Sequence, residues 1–168
     1  MKTKMEFRDI RRRDRVLENG LARELLNNGE YGFLALCSPE GYGYGIPLNY
    51  AVDGEIIYFH CAPEGHKLDA IRSNDKASFC VVGKTQVISR QFSTAYESVH
   101  AFGRIRIVTD DEERRQALRL IAAKYSPQYG ELAEKYIAGS FARTVVLSFD
   151  IEHLSGKGKR IEHPEGFL

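Results

Sequence analysis

No stretch of this chain approaches the roughly 18 consecutive apolar residues that a membrane-spanning helix needs, and Met1 to Phe7 holds no apolar core of signal-peptide length. A cytoplasmic protein is therefore expected. Cysteine is scarce and odd in number: Cys37, Cys61 and Cys80 stand at no paired spacing, so neither a disulfide framework nor a structural zinc site is indicated. An excess of one charge is missing too. With 24 Lys and Arg against 23 Asp and Glu the formal net charge is +1, which gives no electrostatic case for nucleic acid or a membrane surface as partner. The basic run Arg11-Arg12-Arg13 is followed by Asp14 and reads as the solvated start of a helix. There is no internal repeat or low-complexity tract, and 168 residues make a single domain, with its core from about Asp14 to Lys157 and a tail over residues 158–168. No Ser-His-Asp or Cys-His set can be ordered. The glycines of Gly41-Tyr42-Gly43-Tyr44-Gly45 alternate along a strand instead of turning from strand into helix, which excludes a dinucleotide fingerprint.

What the chain does hold is concentrated between Gly41 and Lys67, GYGYGIPLNYAVDGEIIYFHCAPEGHK. Side chains alternate along a strand, so Tyr42, Tyr44, Ile46, Leu48 and Tyr50 share one face and Gly43, Gly45, Pro47 and Asn49 the other. One face is bulky; the other is nearly bare backbone. Glycine weakens a strand unless something must come close to its backbone. Two readings follow: a flat ligand lies against the bare face, or the glycines mark bulges in a strongly curved strand. Asp53-Gly54 is a hairpin signal, and the strand it opens, Glu55 to His60, is expected to pair back onto the first. From Gly65 or His66 a short helix runs to Arg72, with Leu68 and Ile71 as its buried positions and Asn74 as its stop. His66 and Lys67 then stand in its first turn, where cations beside free backbone N–H groups make an anion site suited to phosphate; a solvated surface lysine is the plainer alternative. His60 and His66 lie six apart around a turn, but no carboxylate motif completes a ligand set and no metal is expected. His60 is either a group that donates a hydrogen bond or a proton near neutral pH, or a strand-end imidazole that satisfies a buried backbone group. His100, His153 and His163 are taken as structural or solvated.

Around this centre the periodicity places the other elements. Asp14 to Asn28 reads as an amphipathic helix with Leu17, Leu21 and Leu25 four residues apart and Gly29 as its stop. Tyr31 to Cys37 is a strand, Ser38-Pro39-Glu40-Gly41 a turn, and Tyr42 to Tyr50 the two-faced strand. Ala77 to Val82 is an apolar strand, and Glu97 to Val108 a long one with Val99, Ala101, Gly103, Ile105 and Ile107 inward. The polar connection from Gly83 to Ala95 shows no periodicity. Thr109 with Glu112 forms a capping box for a helix to about Lys124, Ser126-Pro127 breaks it, and a second helix lies near Gly130 to Ala138. Thr144 to Ile151 closes the sheet. Strands in short succession with few helices between them make the chain mainly β with flanking helices, arranged as an antiparallel barrel.

The segments Ile46-Pro47-Leu48-Asn49-Tyr50, Ile57-Tyr58-Phe59-His60, Gly65-His66-Lys67-Leu68, Tyr96-Glu97-Ser98-Val99 with Phe102-Gly103, and Leu154-Ser155-Gly156-Lys157 together resemble the nitroimidazole-resistance (Nim) proteins. That family belongs to the larger pyridoxamine 5'-phosphate oxidase-like group of FMN-binding split barrels. The order and spacing of several short motifs carry the resemblance, from about Asp14 to Lys157. It implies a six-stranded antiparallel split β-barrel. Such a barrel fills its interior with side chains, so the ligand binds outside, and in the family FMN lies at a homodimer interface contacted by both subunits. Carried over residue by residue, the backbone around Ile46, Pro47, Leu48 and Asn49 lines the isoalloxazine, while His66 and Lys67 hold the phosphate end. Ser98 matches a polar position on the long strand near the cofactor, and His60 matches an active-site histidine. The implied activity is an NAD(P)H-dependent reductase of a small acceptor, such as a nitroimidazole or other nitroaromatic compound. An enzyme of the same fold acting on vitamin B6 phosphates, and a non-enzymatic carrier of flavin or haem, are the alternatives.

Overall fold

A computed structural model describes residues 7–160 of the chain. Its centre is an eight-stranded antiparallel sheet: β1 (Val16–Leu17), β2 (Gly32–Cys37), β3 (Gly43–Leu48), β4 (Ala51–Asp53), β5 (Ile56–Cys61), β6 (Lys76–Ile88), β7 (Ser93–Ile107) and β8 (Val145–Lys159). Four helices flank it: α1 (Asn19–Asn28), α2 (His66–Ser73), α3 (Asp111–Tyr125) and α4 (Gly130–Ser140). The strands run in the order β3-β2-β6-β7-β8-β5-β4, with β1 added on β8. Alternation along them sends Leu34, Phe59, Phe79, Val81, Val99, Leu147 and Phe149 to the inside of the curled sheet, where all seven are fully buried. A second, smaller cluster lies on the other face, where Tyr58 and Val146 meet Ala117 and Leu118 of α3 and Ile137 of α4. No helix among the described residues is long and apolar enough to cross a membrane.

The mainly β, antiparallel architecture and all six expected strands are present, and β1 and β4 are additional short ones. Several bounds move for identifiable reasons. The helix expected from Asp14 begins at Asn19, because Val16 and Leu17 are taken into the sheet opposite Lys157 and Gly156. Its buried face is then Ala22 and Leu26; Leu21 is exposed and Leu17 belongs to β1. Gly156 permits this docking, since a Cβ there would stand 2.7 Å from that of Ala22. The region from Gly83 to Ala95 is no loop: β6 and β7 continue as a hairpin through Thr85 opposite Tyr96 and Ile88 opposite Ser93, and turn over residues 89–92. A register shift between Val82 and Thr85 breaks the alternation that would have betrayed the strand. The cap of α3 is Asp110, whose carboxylate accepts from the Glu113 N–H at 2.8 Å, one residue beyond the expected Thr109. β8 runs to Lys159, well past Ile151 and into the expected tail. His163 and the rest of that tail beyond Arg160 lie outside the described residues.

The pairing of the two-faced strand differs most. β3 pairs with β2, from Gly32 opposite Leu48 to Cys37 opposite Gly43, and not with β5. The Asp53-Gly54 hairpin does close, but it joins β5 to the separate three-residue β4. Asn49 and Tyr50 interrupt the strand between them: Tyr50 is fully buried, its N–H donates to the Tyr125 hydroxyl at 2.9 Å, and its own hydroxyl donates to the Leu26 carbonyl. The chain thus bends at Asn49-Tyr50 from one end of the sheet to the other, and this seam positions the site.

Candidate functional site

β3 has the two faces its sequence requires. Tyr44, Ile46 and Leu48 pack against the core, whereas Gly43, Gly45 and Pro47 are exposed. Tyr42 departs from the pattern, being exposed in the turn before the strand. The β2–β3 register is regular throughout, so the glycines mark no bulge. A Cβ placed on Gly43 or Gly45 would meet nothing within 4 Å. Nothing among the described residues requires those positions to be bare. β3 is also a terminal strand, hydrogen-bonded to β2 on one side, which leaves backbone groups along its other edge for a partner. Ile46 and Leu48 turn inward, so their contribution to any ligand is backbone alone.

The bare face continues across the sheet in register. Pro47 stands opposite Phe33, Phe33 opposite Cys80, Cys80 opposite His100 and His100 opposite Ser155. Cys80 Sγ and His100 Nε2 approach to 3.5 Å; burial raises the thiol pKa and, with the Lys157 charge, lowers that of the imidazole. Phe33, Val82 and Phe102 remain exposed on this face. Ser98 lies on it as well, opposite Val82 and Lys157, with its hydroxyl 3.5 Å from the Lys157 carbonyl. Two strands separate β7 from β3, so within one chain Ser98 is about 14 Å across the sheet from the bare strand.

At the other end of β3 the seam opens into a cavity of about 720 Å³ between the sheet and α3 and α4. Asn49 and His60 both line it, brought together by the curl of the sheet and not by strand pairing. Asn49 donates to the Glu30 carbonyl at 3.0 Å. His60 sits on β5 opposite Val146, on the face away from the barrel interior, and part of its ring is open to solvent. Crowding by protein atoms, helped by the Lys67 charge, lowers its pKa below the ordinary value. The same charge reaches Cys61, where burial outweighs it and the thiol pKa rises. Lys67 therefore stands beside the end of β5, half-buried in the first turn of α2, after Gly65 with its φ of 132°. His66 is held elsewhere: its ring stacks on Tyr44 at 4.4 Å, and its Nε2 lies 3.7 Å from the Glu40 carboxylate.

The structure thus gathers Pro47, Asn49, His60 and Lys67 around the seam, sets His66 next to them against Glu40, and leaves Ser98 across the sheet. The sequence did not point to Tyr125, Tyr129, Tyr136 or Arg143, which also line the cavity. Tyr125 was the hardest to find, since its hydroxyl clasps the seam by bonding to Glu30 and Tyr50, residues 95 and 75 positions away. Among the described residues no group of three or more His, Cys, Asp and Glu is placed to hold a metal ion.

The fold recurs in solved structures. A candidate 5-nitroimidazole antibiotic resistance protein from Bacteroides thetaiotaomicron is 21% identical, with 85% of this chain and 86% of that one covered and a TM-score of 0.69. A flavocytochrome from Azotobacter vinelandii is 18% identical, over 94% of this chain and 76% of that one, with a TM-score of 0.76. An FAD and haem binding protein from Mycobacterium smegmatis is 19% identical, over 88% and 76%, with a TM-score of 0.71. At these identities the likeness is one of fold. No curated protein matches in sequence. The profile of one family does match, over residues 18–158, and by that match this chain belongs to the pyridoxamine 5'-phosphate oxidase family.

Proposed function

We propose that this protein is an FMN-binding oxidoreductase in which a homodimer holds the cofactor on the bare face of β3 and NADH or NADPH reduces a small acceptor, such as a nitroimidazole or other nitroaromatic compound. One observation carries the proposal: Gly43 and Gly45 lie in a regular, unbulged strand with open space where their side chains would be. A cradle that the chain itself leaves unfilled fits a flat ring system from outside. The names of the neighbours, one a flavocytochrome and one an FAD and haem binding protein, favour a flavin as that ring system.

Bound flavin would supply two-electron chemistry; this chain would supply binding and proton placement. The β3 backbone around Ile46 to Asn49 would line the ring. Lys67 would neutralise the phosphate, a strongly hydrated point charge suited to that role. His66, already beside Glu40, would contribute less. His60, lining the cavity and with its neutral form favoured by burial and by the Lys67 charge, would present its imidazole to the reacting end. Ser98 lies too far across the sheet to join this set in one chain, and a two-fold partner is the simplest source of a second polar group.

A non-enzymatic carrier of flavin or haem is the second reading, motivated by the two haem-associated neighbours. The absorption spectrum of freshly purified protein separates these cases. A flavin spectrum that bleaches with NADH or NADPH and recovers with a nitroaromatic is the expected result. A haem band without flavin, or a flavin that neither nicotinamide bleaches, would reject the reductase.

A further inference from the structure

The seam cavity holds more than His60. One end is apolar, built from Leu118 and Ile121 of α3 and Leu132 and Ile137 of α4, with the rings of Tyr129 and Tyr136 at an exposed rim. The other end is polar and lies where Cys61 pairs with Val145, which brings His60 of β5 near Arg143, in the turn two residues before β8. The hydroxyls nearby are already used: Ser140 donates to the Tyr136 carbonyl at 2.8 Å and Thr144 to the Ser140 carbonyl at 3.0 Å. Beside the rim hydroxyls of Tyr129 and Tyr136, His60 and Arg143 are the basic side chains in the lining. Among the described residues no aspartate or glutamate lines the cavity, and the charge of Lys67 reaches His60 in its lining.

A space of about 720 Å³ is the size that encloses a small ring compound. Aromatic and aliphatic walls favour flat apolar rings. A guanidinium at one end, with no acid in the lining, favours a negative group there, since a carboxylate leaving water needs a charged partner. We infer that this cavity binds a planar aromatic anion, a one- or two-ring carboxylate or an acid of like chemistry, with its charge at Arg143 and its rings between α3 and α4. This names the class of the second ligand; only its role as acceptor rests on the function proposed above.

Calorimetry on the full chain with 2-naphthoate and its neutral isostere 2-naphthamide tests the inference. The protein binds naphthoate more tightly than naphthamide. Arg143→Gln, at an exposed position, weakens naphthoate by about tenfold, the loss of one charge-assisted contact, and leaves naphthamide unchanged. Leu132→Trp, on the exposed rim, fills the apolar end and weakens both. Equal affinity for the two compounds, a parallel loss of both in Arg143→Gln, or no binding of naphthoate overturns the inference. Flavin content on the same samples separates it from the reductase reading. Naphthoate binding by a protein that takes no flavin keeps this inference and removes the other, and a flavin-loaded protein blind to naphthoate does the reverse.

Discussion

At the scale of single residues, the proposal gives His60 the reacting end of the flavin and Lys67 its phosphate, and two substitutions test that division. Lys67→Ala leaves the fold intact, because the side chain is half-buried at a helix start, and weakens FMN by about 2 to 3 kcal/mol while sparing phosphate-free riboflavin. Equal losses for the two flavins, measured by fluorescence quenching, would remove Lys67 from the phosphate. His60→Ala keeps most FMN affinity but slows acceptor-dependent reoxidation by roughly a hundredfold or more if the imidazole places a proton. A lowered melting temperature with unchanged reoxidation per bound flavin would instead make His60 a structural strand-end residue. Lys124 is a different case. Its amine is buried without a hydrogen-bond partner among the described residues, 3.7 Å over the Tyr50 ring, and burial pushes its pKa down to about 8 from 10.5. That difference costs about 3 kcal/mol wherever the unfolded chain is protonated, and the contact with Tyr50 returns about 2. The folded pKa is the lower one, so the cost is complete below pH 8 and disappears as pH rises to 10.5. Lys124→Met should therefore stabilise the protein by about 1 kcal/mol at pH 7, with the gain fading by pH 10; a destabilised variant at pH 7 would show that the cation–π contact outweighs burial.

At the scale of elements, β3 offers the sharpest test, because its glycines are unnecessary to the isolated chain. Gly45→Val adds a β-branched side chain where nothing lies within 4 Å, so thermal stability holds or rises by a few tenths of a kcal/mol while flavin binding is lost. Wild-type flavin content in that variant would leave the bare face without a purpose. What the sequence made legible here was local. Alternation in Gly43 to Leu48 correctly told the packed face from the bare one, and Leu68, Ile71 and the stop at Asn74 correctly placed α2. What it could not make legible was pairing between distant strands. The Asp53-Gly54 turn is a true hairpin signal, yet it says nothing about where the strand before it ends, and the break at Tyr50 is set by a hydroxyl 75 residues away. The pairing of β5 with β3 that would have set His60 beside the bare strand was accordingly wrong, although Asn49 and His60 do line one cavity. α1 failed for a related reason: Leu17, Leu21 and Leu25 fit a helical repeat by spacing, but sheet pairing claimed Leu17 first.

At the scale of the whole molecule, the described residues leave an outer sheet face that one chain does not finish. Phe33 is 45%, Val82 50% and Phe102 39% exposed on a continuous surface whose centre is the half-buried Cys80–His100 pair. Apolar side chains grouped in this way on a sheet mark an interface more often than a solvated surface. The bare strand β3 lies at one edge of that face and Ser98 lies on β7, three strands further across it. A two-fold axis through the face would bring the β3 edge of one subunit over the β7 region of the other, which is how residues about 14 Å apart in one chain can serve one ligand. The protein should therefore run in solution as a homodimer of about twice its 19.1 kDa mass, with flavin stoichiometric to subunits. Phe102→Arg puts a charge into the proposed interface without touching the barrel core, because Phe102 points away from it. That variant should become a folded monomer and lose its flavin together with its partner, which sedimentation and absorbance can follow in one experiment. A monomer that still holds one flavin per chain would mean that β3 and Lys67 suffice within one chain, and the two-subunit site would have to be abandoned.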